Sequence, residues 1–245
     1  IGHYTPSEVI SNSALKESGL LKTVTRRFPL SVTFCDDWTF SQGSAKEKIF
    51  SHLKISTLNG LGLGDKPLAV SACGGLLQYL YDIQKTDLSH ITNIKYYSYS
   101  NFMLLDISTR RNLELVETMR EKSRRGSLLW VLDKTKTAMG ARMLKKWIEQ
   151  PLMDKAKIDM RLNSVEEFKD DIFMAEEVKD VLNSMYDFER IMSKIIYKTA
   201  NCRDLIALKN SIENLPLLKK VLKKAKTDYL KAIYDSLDPL ENIFS

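Results

Sequence analysis

"TAMGARMLKKWIEQP", residues 137–151, decides how the chain is to be read. Thr137 can accept a hydrogen bond from an N–H three residues on, as a helix N-cap does. Met139, Met143, Leu144, Trp147 and Ile148 then recur at helical spacing, and Pro151, which has no N–H, stops the run. The same periodicity returns downstream. Asp154 to Phe168 carries Ile158, Leu162 and Val165. "MYDFERIMSKII" (185–196) follows, and a helix after Asn201 carries Leu205, Leu208 and Ile212. "LPLLKKVLKKAK" (215–226) sets Lys219, Lys220, Lys223 and Lys224 opposite Leu218, Val221 and Leu222, a solvated face by the ordinary reading. Upstream, "DISTRRNLELVE" (106–117) places Arg110 and Arg111 where an aliphatic run, Met103-Leu104-Leu105, hands over to an amphipathic helix. From Ser108 onward the chain is predicted to be helical. The Arg pair could grip a phosphate, pair with nearby carboxylates or mark a joint between domains.

The first 85 residues have different punctuation. Thr5-Pro6-Ser7-Glu8 matches a helix start, with Thr5 as N-cap, Pro6 in the first turn and Glu8 closing a capping box. "SVTFCDDW" (31–38) is strand-like and runs into an Asp-rich turn. "SAKEKIFSHL" (44–53) returns to helical spacing, with Ile49, Phe50 and Leu53 on one side. "NGLGLGDKP" (59–67) is a Gly-rich loop, and Pro67 opens a helix to about Gln84 whose Ala69, Val70, Ala72, Leu76, Leu77 and Leu80 should supply a buried face. "ITNIKYYSYSNFMLLD" (91–106) has the aromatic content of a strand. The pattern is an α+β, multidomain one: a small α/β unit at 1–85, a linker and strand region at 86–105, and an all-α unit at 106–245.

Composition sets the class. The chain has 245 residues, 44% hydrophobic and 28% charged, as expected of a soluble globular protein. Its net charge is +6, which permits nucleic-acid binding without establishing it. Cys35, Cys73 and Cys202 are far apart and only three histidines accompany them, so neither a disulfide framework nor a zinc site is expected. No apolar run approaches the roughly 18 residues of a membrane span. The opening at Ile1-Gly2-His3 suggests a piece of a longer polypeptide.

Catalytic chemistry is hard to place on these residues. A P-loop needs Gly directly before its Lys and Ser or Thr directly after it, but here Asp65 and Pro67 flank Lys66. Glycines at 60, 62 and 64 also miss the dinucleotide spacing. No nucleophile elbow occurs, and His3, His52 and His90 stand in unremarkable polar contexts. Asp36-Asp37 and Asp170-Asp171 suit turns and helix ends better than a two-metal site. "YYSYSNF" (96–102) could stack bases, yet lacks a basic cluster beyond Lys95 and suits strand packing. "KSRRG" (122–126) would complement the dipole at the end of the Arg110 helix. We therefore expect no catalytic, cofactor or metal residues.

Several long stretches, in this order and spacing, carry a resemblance. They are "GGLLQYLYDIQKTDLSHI", "MLLDISTRRNLEL", "SLLWVLDKTKTAMGARMLKKWIEQPL" and "DFERI", followed by "KTANCRDL". Together they resemble the MutS family of bacterial DNA mismatch-repair proteins, from about Gly60 to the end; residues 1–59 fit by position. The resemblance implies the C-terminal part of an RNase H-like connector domain and then the first part of a helical core or lever domain. The family's Phe-x-Glu mismatch wedge and its P-loop do not occur in this sequence. ATP and magnesium would thus belong to the ATPase domain of a parent protein, and none to this segment. The parent would be a cytoplasmic, nucleoid-associated homodimer acting on mismatched double-stranded DNA with a MutL-like partner. Within this frame Asp106, Arg110, Arg111, Asn112 and Glu114 are expected to form an interdomain joint, with Asp106 and Glu114 in pairing reach of Arg110. Lys46, Glu47 and Lys48 form the expected partner-docking face. An autonomous basic DNA-binding module is the alternative. A vestigial nuclease would need clustered acids that the sequence does not offer.

Overall fold

Strand pairing organises the beginning of the chain. The computed structural model describes residues 6–17, 19–28, 30–84, 88–96 and 102–240. The chain folds as two compact units, 1–98 and 99–245.

In the first unit, β1 (Glu8–Ser11) runs parallel to β2 (Ser31–Phe34), with Val9 opposite Val32 and Ile10 opposite Thr33. Helices α1 (Ser13–Glu17) and α2 (Leu20–Arg27) make the crossover between them. A helix start at Thr5–Glu8 is therefore overturned: Glu8 begins a strand, while Thr5 lies outside the described residues. The β-branched pairs of the ladder outweigh the local capping pattern. Ser31 N–H donates to Ser7 O at 2.9 Å. The Glu8 carboxylate, instead of closing a capping box, accepts from Thr33 Oγ1 at 2.5 Å and Tyr79 OH at 2.6 Å. Helix formation waits for α1, where Asn12 Oδ1 accepts from Leu15 N–H.

The strand expected in "SVTFCDDW" ends at Phe34, and a 3₁₀ turn follows at Asp37–Phe40. Asp37 receives the N–H and hydroxyl of Ser13, and Asp36 receives Trp38 Nε1, so this acid pair has turn roles. Helix α3 (Gln42–Leu53) is capped by Ser41, and α4 (Pro67–Gln84) has the predicted bounds. Between them lies a core of Ala45, Ile49, Leu58, Leu63, Val70 and Leu77, with Phe50, Leu53 and Ile94 packed against it.

Glycine shares the contact face of α4 with Val70 and Leu77. A Cβ on Gly74 would overlap the backbone of Ala45, and one on Gly75 would lie 2.6 Å from the Phe40 ring. The helices approach so closely there that only hydrogen fits. Ala72 and Leu76, expected inside, point outward, and Leu76 is 48% exposed.

In the second unit, Phe102 forms one antiparallel bridge to Leu152, and Met103 N–H donates to Pro151 O. This single bridge is all the strand structure found in 91–106 among the described residues; 97–101, most of the "YYSYSNF" stretch, lie outside them. Helix α5 (Ile107–Asn112) is shorter than the expected amphipathic helix. Glu114 takes a left-handed conformation (φ 47°) and its carboxylate accepts Met119 N–H at 2.6 Å, which turns the chain. Leu128 N–H then donates to Glu114 O, and Leu129 N–H to Leu115 O, closing the loop onto α6 (Leu128–Leu132). "KSRRG" consequently sits in this loop and not at a helix end, so the dipole role does not apply.

The remaining helices are α7 (Ala138–Glu149), α8 (Lys155–Asp170), α9 (Ile172–Asn183), α10 (Phe188–Ile196), α11 (Cys202–Glu213), α12 (Leu215–Leu222) and α13 (Asp228–Ser236). Met174, Leu222, Ala225 and Leu230 form a core with Phe168, Val178 and Leu218. Leu162 (58%) and Val165 (64%) are exposed, against expectation, as are Met143 and Leu205. The lysine run is only partly solvated: Lys219 Nζ donates to Leu237 O at 2.7 Å, and Lys224 pairs with Glu177 at 2.8 Å. The three cysteines are free thiols. No described helix is long and apolar enough to cross a membrane.

Gly74→Ala should lower the stability of the first unit by about 1–3 kcal/mol through overpacking against the Ala45 backbone. Gly43→Ala, which meets nothing within 4 Å, should be neutral or slightly stabilising. Urea unfolding of both variants checks this, and equal effects would contradict it.

Candidate functional site

Helix α5 gathers the residues expected at the joint. Asp106 is its N-cap, accepting Thr109 N–H at 2.5 Å, and this hydrogen bond holds the Asp106 carboxyl below the ordinary carboxylate range. Arg110 is half-buried in the last turn, and Arg111 and Asn112 are exposed. Glu114 leaves the helix with its carboxylate on Met119 N–H, so both acids either side of Arg110 serve backbone donors. The five residues form one short capped turn.

A second cluster, on α7, α8 and α10, did not stand out in the sequence. Arg142 makes a two-pronged contact with Asp187, Nη1 and Nη2 each 2.8 Å from a carboxylate oxygen, and its Nη2 also lies 2.5 Å from Glu189. Asp187 has a second task as the N-cap of α10, accepting Arg190 N–H. The Arg142 hydrogen bonds hold the Asp187 carboxyl below its ordinary range and raise the Arg142 guanidinium in turn. Five residues along α7 from Arg142, the Trp147 ring centre lies 3.6 Å from the guanidinium of Arg161 on α8. These contacts tie α7 to α10 and to α8 around an open cavity of about 570 Å³, which Phe102, Lys146 and Gln150 also line. Arg142 faces two carboxylates there, so the cluster is a brace more than a phosphate grip. Arg142 and Asp187 are 45 residues apart, beyond the reach of any local pattern.

On α3, Lys46 and Glu47 are exposed, whereas the Lys48 ammonium lies 4.6 Å from the centre of the Tyr81 ring. His52, next on that side, has Nδ1 2.8 Å from Tyr81 OH and Nε2 2.7 Å from Ile91 O. A carbonyl can only accept, so Nε2 carries the proton and the ring fastens residue 91 to α3. This histidine is less ordinary than its sequence context implied. Near Lys66 the Gly-rich stretch folds into a 3₁₀ turn at Asn59–Leu61, and Lys66 is spent on Asp65 at 2.7 Å. Among the described residues, no group of three or more His, Cys, Asp or Glu is placed to hold a metal.

Family comparison places these units in order. The model of MutS domain II matches residues 1–92, and that of MutS domain III matches residues 108–243. The chain belongs to the MutS family. Its two units correspond to the connector and core domains of MutS. It is 45% identical over 241 residues to the DNA mismatch repair protein MutS of Lachnoclostridium phytofermentans, covering 98% of this chain and 26% of that protein. The corresponding proteins of Ruminiclostridium cellulolyticum and Acetivibrio thermocellus are 44% and 42% identical, over 99% and 100% of this chain and 28% of each relative. The chain thus spans about a quarter of the length of these relatives.

Asp187→Asn should keep the α10 cap and lose the ion pair, at a cost below about 1 kcal/mol because Arg142 is half exposed. Asp187→Ala should lose both, about 0.5–2 kcal/mol more. Since the folded Asp187 carboxyl is lowered, its contribution is complete above the ordinary aspartate range and drains away as pH falls through the folded value. Melting curves of wild type and Asp187→Asn should accordingly converge on acidification. A gap that is constant with pH would exclude the ion pair as its cause.

Proposed function

We propose that the chain is the connector and first core portion of a longer MutS mismatch-recognition ATPase, coupling mismatched double-stranded DNA at one end to ATP and magnesium at the other. The observation that carries this reading is the succession of a domain II match and a domain III match along one chain. In this reading its part is non-catalytic and the ATPase belongs to the rest of the longer protein, the chain covering 26–28% of its relatives' length. The β1–helix–β2 parallel crossover is the kind of unit an RNase H-like connector contains. Helices braced by Arg142 suit transmission, because a stiff element with alternative placements can bias distant sites.

The α5 turn, with Arg110, Arg111 and Asn112 between Asp106 and Glu114, acts in this reading as the structural joint. A MutL-like partner docks on the connector, with Lys46 and Glu47 of α3 as the face offered and Lys48 at its edge over Tyr81. The parent is a homodimer in the bacterial cytoplasm, working at the nucleoid. The rival, an autonomous basic DNA-binding module, is not favoured by two MutS domain matches in order along one chain, and several cations are engaged within the protein. Arg124, Arg142, Lys194 and Lys224 each meet a carboxylate, and Lys219 a carbonyl.

Titration of the 245-residue chain with ATP and magnesium should release no heat of binding, and the chain should bind mismatched and matched duplexes alike. A micromolar dissociation constant for ATP, or a clear mismatch preference, would move the ligand sites into this segment.

Coupling is tested at α5. In the longer protein, replacing Arg110 and Arg111 with Ala should lower the melting temperature and weaken the mutual effect of mismatched DNA and ATP on each other's binding. Affinity for each ligand alone should change little. A stable double variant with intact coupling and a salt slope flattened by about one per lost contact would instead assign the pair to DNA phosphates.

A further inference from the structure

Helix α6 is held firmly and faces outward. Its N-cap, Ser127, is fully buried, donates to Arg124 O at 2.7 Å and accepts Trp130 N–H. Backbone bonds from Leu128 to Glu114 and from Leu129 to Leu115 fix it from one side, and Arg124 pairs with Asp133 just beyond its end. Only Leu129 points inward, at 5% exposed. Leu128, Trp130, Val131 and Leu132 are 42–55% exposed on a helix of five residues. So short a helix has no stability of its own in water and exists because its surroundings anchor it. Anchoring it while leaving four large apolar side chains in solvent is costly unless something covers them.

The flanks say what kind of cover. Arg125 precedes the helix, and Lys134 and Lys136 follow it; all are exposed, and none forms an ion pair among the described residues. The basic run at 122–126, which the helix dipole does not explain, thus becomes one rim of an apolar patch. Nucleic acid would use the cations and leave the apolar side chains wet. A protein segment with apolar residues set between carboxylates uses both. The relatives extend to almost four times the length of this chain, so such a segment is available within a single polypeptide.

We propose that α6 and its cationic flanks are an internal docking surface, covered in the longer protein by an amphipathic acidic segment lying outside residues 1–245. This rests on reading the chain as part of a longer MutS protein. Hydroxyl-radical footprinting, read by mass spectrometry on the tryptic peptide carrying Trp130, tests it in the 245-residue chain and in the longer protein. Trp130 should oxidise several-fold more slowly in the longer protein. Reversing Arg125, Lys134 and Lys136 to Glu there should restore the faster rate, while circular dichroism reports the unchanged helix content that keeps the comparison valid.

Equal rates in the two proteins would overturn the proposal, including the case in which a separate protein is the true occupant. Protection that grows with the concentration of the 245-residue chain alone would assign the face to a second copy and overturn it too. Protection that survives charge reversal would refute the acidic character of the cover. A gene product no longer than these residues would remove the earlier reading itself, a result distinct from an uncovered Trp130 in a longer one.

Discussion

A helix leaves its first N–H groups without partners in the helix, and a short helix feels this cost most. The described helices of the second unit run from five to 16 residues, and nearly every one begins on a side-chain oxygen. Asp106, Ser127, Thr137, Asp154, Asp171, Asp187 and Asn201 each accept from an N–H two or three residues on. Asn201 and Asp204 do so reciprocally. Without these oxygens the elements would fray before their apolar faces could pack, so the caps fix where each helix starts and hence which side chains can meet. Asp187 shows the further step. The carboxylate that starts α10 is the one that Arg142 grips from α7, so a local device also serves as a long-range tie.

Caps and breakers were the part of the fold legible in the sequence. Thr137, Pro151 and Pro67 announce their helices because the signal and the structure it specifies lie within one turn of each other. The turn roles of Asp36 and Asp37 were legible for the same local reason. Strand pairing was not. Glu8 fits a capping box and a parallel ladder equally well, and only the distant presence of Ser31–Phe34 selects the ladder. The faces of helices were also ambiguous. Leu162, Val165 and Leu76 carry the hydrophobic signal, whereas Gly74, Gly75 and Ser164 occupy interior positions because of close approach or a satisfied hydroxyl, which hydrophobicity does not record. The left-handed turn at Glu114 escaped notice, because a positive φ at a Glu carries no mark in composition.

The candidate site divides along the same line. Helix α5 was visible through its Arg pair and its flanking acids, though these acids turned out to serve backbone N–H groups. The Arg142 brace was invisible, since Arg142 and Asp187 are separated by 45 residues. The family resemblance supplied what periodicity could not, because it matches the order of many segments at once. It gave the identity of the units but not the contacts that hold each one together.

Glu167, on α8, accepts the N–H groups of Lys226 and Thr227 at 2.6 and 2.9 Å, 59 and 60 residues away. Burial pushes its carboxyl up, yet the bonds from Thr227 and Lys226 outweigh burial and hold it below the ordinary range. Capping bonds span three residues and can form during the earliest moments of chain collapse. A tie of this span closes a far larger loop than any cap does, and so carries a larger entropic cost of closure. Glu167 thus fastens the segment that begins α13 to α8, making one side chain the link between stretches of chain that no cap can reach.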